Sequence, residues 1–415
     1  MAGHGLPAEV EMLEGSTALD PDAPWIRSIT FLSPVYTVDR LYRSMMGPQA
    51  TRGVLLHASA GETPELLWIV GYSAVVVGAD GESPRSQEFM CHSNLDIDMP
   101  RHQELFGLSS KASVRLFTLS QGQQEIRFPE GFGIPVRSDE PLRLTTQVLN
   151  HNVEKISLEL RHRVTVFYVV DEEAPAPMRA LYQVAANGLV LVEGTDGYYN
   201  VPEADPELHG EGCLVGNSAD PADRFYTDSQ GRKFTGHWIV EPGVEVNRSN
   251  TTRFMGLRFD TKVHYIAVHL HPFAESLELR DLTAGESIFT SRVTPSEGKI
   301  GIDRIEHYAD SFGLPLFMDH EYELVSTYNN SSSVDQDSMA VMYMYAEDME
   351  FDRNEFLARR DSPAPLDPQA LPASPALPPP LPAIRARPHG PAARSAPDPA
   401  ALSRDPRSPG RDRKG

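Results

Sequence analysis

Cysteine is nearly absent. The chain has two in 415 residues, Cys91 and Cys213, which excludes a disulfide framework and any zinc or iron–sulfur site built on several thiolates. One bridge between them is the most sulfur can add, and a reducing compartment disfavours it. No apolar run approaches the roughly 18 residues that a membrane span needs. The opening segment, MAGHGLPAEVEMLEGSTALDPDAPW, has acids and prolines where a secretory leader has a basic start and an apolar stretch. A cytoplasmic protein without membrane contact is therefore expected. There is no Gly-x-Ser-x-Gly and no glycine-rich phosphate loop, so serine hydrolysis and nucleotide binding find no support. Helical periodicity is scarce, and only Glu9–Glu14 and Val38–Ser44 read as short helical turns.

Charge is unevenly spread. The formal net charge is −21, while residues 359–415 hold ten basic and five acidic side chains, so the remainder carries −26. So acidic a body repels phosphate, which argues against nucleic-acid binding. Residues 361–415 contain 15 of the 35 prolines and almost no aromatic or β-branched residues. Such a segment cannot bury enough surface to offset its ordering entropy, and disorder with polyproline character near Pro378, Pro379 and Pro380 is expected.

Hydrophobic residues make up 40% of the chain, enough for real cores. Short alternating segments recur at Leu142–Val148, Arg163–Val170, Val263–His271, Ser276–Leu282, His320–Tyr328 and Ser338–Tyr345. Turn chemistry such as Glu130-Gly131 and Asn329-Asn330 separates them. The pattern predicts an all-β protein of two antiparallel β-sandwiches. The acidic, proline-rich stretch Asp171–Pro177 marks the boundary, and Gly194–Asp228 reads as irregular. The expected organisation is a loose segment over 1–24, a first sandwich over 25–175, a second over 176–350 and a disordered tail over 351–415. No internal repeat is legible.

The chemistry concentrates on two strands. In VHYIAVHLHPF, alternation puts Tyr265, Ala267, His269 and His271 on one face and His264, Ile266, Val268 and Leu270 on the other, towards a core. Two imidazoles two apart on a strand can bind one metal ion. Residues 338–345 read Ser-Met-Ala-Val-Met-Tyr-Met-Tyr. Thioether and imidazole together favour copper, whose reduced state takes soft sulfur.

His269-Leu270-His271, followed some 65 residues later by a strand opening with Met339, resembles the copper type II, ascorbate-dependent monooxygenases, the family of peptidylglycine α-hydroxylating monooxygenase and dopamine β-monooxygenase. GHWIVEPGVEV at 236–246, FPEGFGIPV at 128–136, TTQVLNHN at 145–152 and DQDSMAVMYMY are similar in texture, and the resemblance spans about residues 85–350. It implies two jelly-roll sandwiches, each carrying one copper across a water-filled cleft. It implies that His269, His271 and Met339 bind the copper that activates oxygen, and that Tyr343 faces substrate. The other copper, held by three histidines in the family, would supply an electron.

Several positions depart from the family pattern. The first site usually opens with two adjacent histidines, whereas EFMCHSNLDID has Cys91 before His92. The third ligand position holds Leu149, and the nearby imidazole is His151, on the same strand parity. The first site is therefore degraded, remodelled with Cys91, or absent. Where the peptide-amidating enzyme has an arginine and an asparagine near its catalytic copper, this chain has Ala267 and Val341. A substrate carboxylate buried there would lack a partner, so peptide amidation is disfavoured.

The resemblance thus implies copper-dependent hydroxylation of a C–H bond in a small molecule, with O2 and an external reductant. A non-catalytic copper-binding protein that kept the fold is the first alternative. The second is a cupin-like iron or manganese enzyme, since His269, His271 and Glu275 follow His-x-His-x-x-x-Glu and His320 offers a later imidazole. The glycine that opens the cupin motif is missing. His237, in GHWIV, reads as a sandwich-edge residue or part of a cleft wall.

Overall fold

The methionine-rich segment near the end of the ordered sequence is apolar on both faces, and such a strand is stable only between two cores. The computed structural model gives it that place. It describes residues 11–42, 47–56, 63–98, 102, 105–106, 113–192 and 226–360. The first half supplies β1 (Ser16–Leu19), β2 (Ile26–Leu32), β3 (Tyr36–Val38), β4 (Gln49–Val54), β5 (Leu66–Gly78), β6 (Met90–Ile97), β7 (Arg115–Leu119), β8 (Glu125–Arg127), β9 (Phe132–Arg137), β10 (Leu142–Val148) and β11 (Leu158–Val170). The second supplies β12 (Arg179–Asn187), β13 (Val190–Leu191), β14 (Tyr226–Thr227), β15 (Lys233–Thr235), β16 (His237–Val240), β17 (Gly243–Asn250), β18 (Thr261–Leu270), β19 (Ala274–Asp281), β20 (Glu286–Pro295), β21 (Ile302–Ile305), β22 (Tyr308–Leu316), β23 (Tyr322–Asn330) and β24 (Gln336–Glu347).

The chain is all-β, and its strand order identifies both halves. In the first, one sheet runs β2-β11-β5-β9 and the other β4-β10-β6-β7. In the second, the sheets run β12-β24-β18-β22 and β17-β23-β19-β20. Numbering the eight main strands of each half in chain order gives 1-8-3-6 and 2-7-4-5 both times, the double-Greek-key order of a jelly roll. The topology thus repeats where the sequence shows no repeat. The rolls join through a parallel pair, Arg179 beside Phe132 and Ala180 beside Gly133, which closes one open edge of each.

Strands β18 and β24 divide the two cores. Tyr265, Ala267, Met339, Val341, Tyr343 and Tyr345 face the core of the first roll. Ile266, Val268, Leu270, Ala340, Met342 and Met344 face that of the second. The face expected to look towards a core does so, and the opposite face is buried too, against the other roll.

Three expectations need correction. The N-terminal segment is not loose throughout, because Ser16–Leu19 pairs with Arg27–Thr30 of β2. The tail does not begin at 351, because Arg353–Arg360 forms a helix, α1. Its Phe356 is 1% exposed and packs with Trp68, Phe106 and Val169. The short helical turns are not helical in their described parts, since Met12 bridges to Gly53 and Tyr42 to Asn150, and Val38 ends β3. Residues 1–10, most of Gly194–Asp228, Cys213 and residues 361–415 lie outside the described residues. No helix among the described residues is long and apolar enough to cross a membrane.

The first core contains a histidine. His162 on β11 is fully buried, with Tyr36 edge-on at 6.2 Å between ring centroids. Burial pushes its pKa down to about 4. The unfolded chain takes up this proton near the ordinary histidine value, the folded one only near the lower value. The stability it confers is therefore complete above the unfolded value and is lost as pH falls towards about 4. Between about pH 7.5 and about pH 5 the expected loss is about 2 kcal/mol. Urea unfolding at the two pH values should show that loss reduced by this amount in His162→Leu. An equal pH dependence in both proteins would contradict it.

Candidate metal centre

His269 near the end of β18 and His271 just beyond it stand at a cleft at the junction of the rolls. His269 and His271 line it from the second roll, and Cys91, His92, Leu149 and His151 line it from the first. The cleft leaves about 20 Å³ for the centres of water molecules, room for a water or an ion. Residues that the resemblance assigns to two centres thus meet on one narrow cleft. Leu149 and His151 both reach it, as their shared parity predicts.

The two rings stand 5.4 Å apart between centroids and nearly perpendicular, at 88°. Each is tied at Nδ1. His271 Nδ1 lies 3.0 Å from Asp337 Oδ2. A carboxylate accepts, so Nδ1 carries the hydrogen and Nε2 is left to the cleft. His269 Nδ1 lies 3.1 Å from Ser120 Oγ. The Ser120 hydroxyl has a second, longer contact to the Gln121 carbonyl at 3.5 Å, and a hydroxyl that donates there accepts from Nδ1–H, whereas one that donates to Nδ1 puts the ring hydrogen on Nε2. Burial, helped by the neighbouring His271 and His92 rings, holds His269 well below its ordinary pKa and keeps it neutral, the form that binds metal. Burial likewise pushes His92 down to about 3, with Arg115 adding to the effect. Its buried Nε2 has no hydrogen-bond partner among the described residues.

Met339 joins the pair through sheet register. His269 opposes Val341 and Leu270 opposes Ala340, where the pairing ends, and Met339, two residues before Val341, lies on the face shared by Val341 and His269. Opposed side chains share a face, with Cβ atoms about 5 Å apart. Met339 is buried and does not line the cleft, and its carbonyl accepts the Tyr328 hydroxyl at 2.6 Å. On its other side Met339 opposes His237, whose ring lies 6.0 Å from that of His271. His237 is thus part of this neighbourhood, in line with its parity in GHWIV. Tyr343 opposes Ala267 and does not line the cleft. It lies four residues on from Met339, about 13 Å along the strand.

Two imidazoles on one cleft, with a thioether on the same face, are of the donor types that suit copper. Among the described residues, no group of three or more His, Cys, Asp or Glu side chains stands in a metal-holding arrangement. The cupin set is not assembled. Glu275 is exposed and accepts from Asn329 Nδ2 at 2.8 Å, and His320 Nδ1 is bound to Asp281 Oδ2 at 2.6 Å. Neither lines the cleft. Sequence reasoning missed Ser120 and Asp337. Asp337 was within reach, because it shares the parity of Met339 two residues upstream.

No family model and no curated protein matches the chain. Among solved structures, the STIV MCP is 10% identical, with 76% of this chain and 97% of that chain covered and a TM-score of 0.24. PNGF-II is 7% identical, with 84% and 65% covered and a TM-score of 0.24. A Bacillus thuringiensis Cry1Da tryptic core variant is 5% identical, with 74% and 59% covered and a TM-score of 0.17. None of these likenesses bears on the chemistry of the cleft.

Proposed function

We propose that this chain is a copper-dependent, monooxygenase-like protein. His269, His271 and Met339 would hold the ion, and a small-molecule C–H bond would be hydroxylated at the expense of O2 and an external reductant. The observation that supports this most is the placement of the histidine pair, with both Nδ1 atoms at oxygen partners, both residues lining one cleft, and Met339 on the face of His269. Copper, when bound, would supply the one-electron and oxygen chemistry. The chain's own residues do the rest. Asp337 and Ser120 orient the rings, burial keeps His269 neutral, and the wall around His92 and Leu149 limits water. Ala267 and Val341 offer no charged partner to a carboxylate, so peptide amidation is not part of the proposal.

The narrow cleft favours a second reading, a copper-binding protein without catalysis. A site for an organic substrate ordinarily needs about 300 Å³ or more. Metal analysis after reconstitution, with O2 consumption under ascorbate, tests both. The first reading expects bound copper and reductant-dependent O2 uptake. The second expects about one copper per chain and no uptake. A protein that retains no copper ends both.

A further inference from the structure

Among the described residues, strand β18 has no strand neighbour on one side from Ala267 to its end, the stretch that carries His269 and leads into His271. Its pairing with β22 covers Thr261–Ile266, leaving that edge open from Ala267 onward. The first roll fills the gap with a turn, Ser120-Gln121-Gly122-Gln123, closed by a bridge between its ends. Gln123 stands in for the missing strand. Its Oε1 accepts the Val268 N–H at 3.1 Å and its Nε2 donates to the Tyr265 hydroxyl at 3.2 Å. The Gly122 carbonyl accepts the Ile305 N–H at 3.0 Å, and Gln121 Oε1 accepts the Ile302 N–H at 3.1 Å. Gly122 has φ of 81°, and a Cβ there would stand 2.5 Å from Ile302 Cγ2, so glycine is what lets the turn seat. Ser120 completes the set at His269 Nδ1. Ser120, Gln121 and Gln123 are all buried.

We propose that this turn is the positioning element of the metal centre, with Ser120 holding His269 as the Nδ1–H tautomer and Gln123 fixing the strand that carries both histidines. The inference rests on the reading of His269 and His271 as copper ligands. It means that the first roll sets the affinity of a site whose ligands belong to the second. A hydroxyl accepting from Nδ1–H leaves the Nε2 lone pair on the cleft side. Without it, the neutral ring is free to place its hydrogen on Nε2 and blunt the donor.

Two readouts on the full chain test this. In the metal-free protein, ¹⁵N-labelled histidine rings should show His269 as the Nδ1–H tautomer, with a shift towards Nε2–H in Ser120→Ala. Cu(I) affinity, measured by competition with a chromophoric chelator, should fall about 10–100-fold in Ser120→Ala and largely return in Ser120→Thr. Should Ser120→Ala fail to fold, Ser120→Cys, a poorer acceptor, should give the same shift in smaller degree. An Nε2–H tautomer in the unaltered protein overturns the proposal, and so does a variant that leaves tautomer and affinity unchanged. If the tautomer shifts as expected but the unaltered protein takes no copper, the functional reading falls while the positioning role stands.

Discussion

Replacing His269 or His271 with alanine is expected to abolish copper binding at the two-histidine, one-methionine site, because one imidazole and a buried thioether cannot hold the ion alone. Met339→Leu should behave differently. Leucine keeps volume and apolarity, so the fold should lose about 1 kcal/mol or less. The two imidazoles should still bind Cu(II), while Cu(I) affinity and any oxygen reactivity fall together, since the thioether stabilises the reduced ion. X-ray absorption on the Cu(I) form should show one sulfur scatterer, lost in Met339→Leu and kept in Cys91→Ser. The control matters because Cys91 lines the same cleft. A sulfur signal that survives Met339→Leu and disappears in Cys91→Ser would make the thiol the ligand and end the two-histidine, one-methionine assignment.

Phe356→Ala is expected to destabilise the protein by about 3–5 kcal/mol. The ring is 1% exposed and stacks on Phe106 at 5.0 Å between centroids. Its helix is moored by Arg353 to Asp171, which also accepts from Trp68 Nε1 at 2.9 Å. A chain ending at residue 350 should therefore melt several degrees lower than one ending at 360. Thermal unfolding of the full chain, the two truncations and the point variant checks this. The segment 361–415 offers no core residues in its sequence, so the chain ending at 360 should unfold with the full chain. Equal melting of all four would show that α1 contributes nothing.

The strands were legible because burial leaves its period on the sequence. Leu142–Val148 alternates and forms β10 over the same residues. Ser338–Tyr345 was likewise legible as a strand, although one sequence cannot say that two cores flank it. Pairing order was not legible, because the 1-8-3-6 arrangement joins strands whose partners lie far apart in the chain and leaves no local mark. Ser16–Leu19 was missed because its side chains are exposed and backbone hydrogen bonds alone recruit it. Helix α1 was missed because a single buried aromatic secures it. At the site, parity put His269 and His271 on one face, and Met339 was joined to them only by the family resemblance. Ser120 was out of reach, as it lies 149 residues from His269 and belongs to the other roll. The meeting of His92 and His151 with the histidine pair depends on how the rolls face each other, which no strand pattern encodes.

The position of β24 has a consequence for how the protein is made. It is the eighth main strand of its roll, yet it lies between the first and third, β12 and β18. Synthesis delivers those two well before the strand that separates them. Until Gln336–Glu347 leaves the ribosome, both present unpaired backbone edges, and the second core lacks its central wall. The nascent chain at that stage already has both imidazoles and lacks the thioether, so the centre closes only when the roll does. On the proposed reading, loading with copper would be tied to completion of the fold, and a chain stalled before Met339 would offer the ion a histidine pair on an open, aggregation-prone edge.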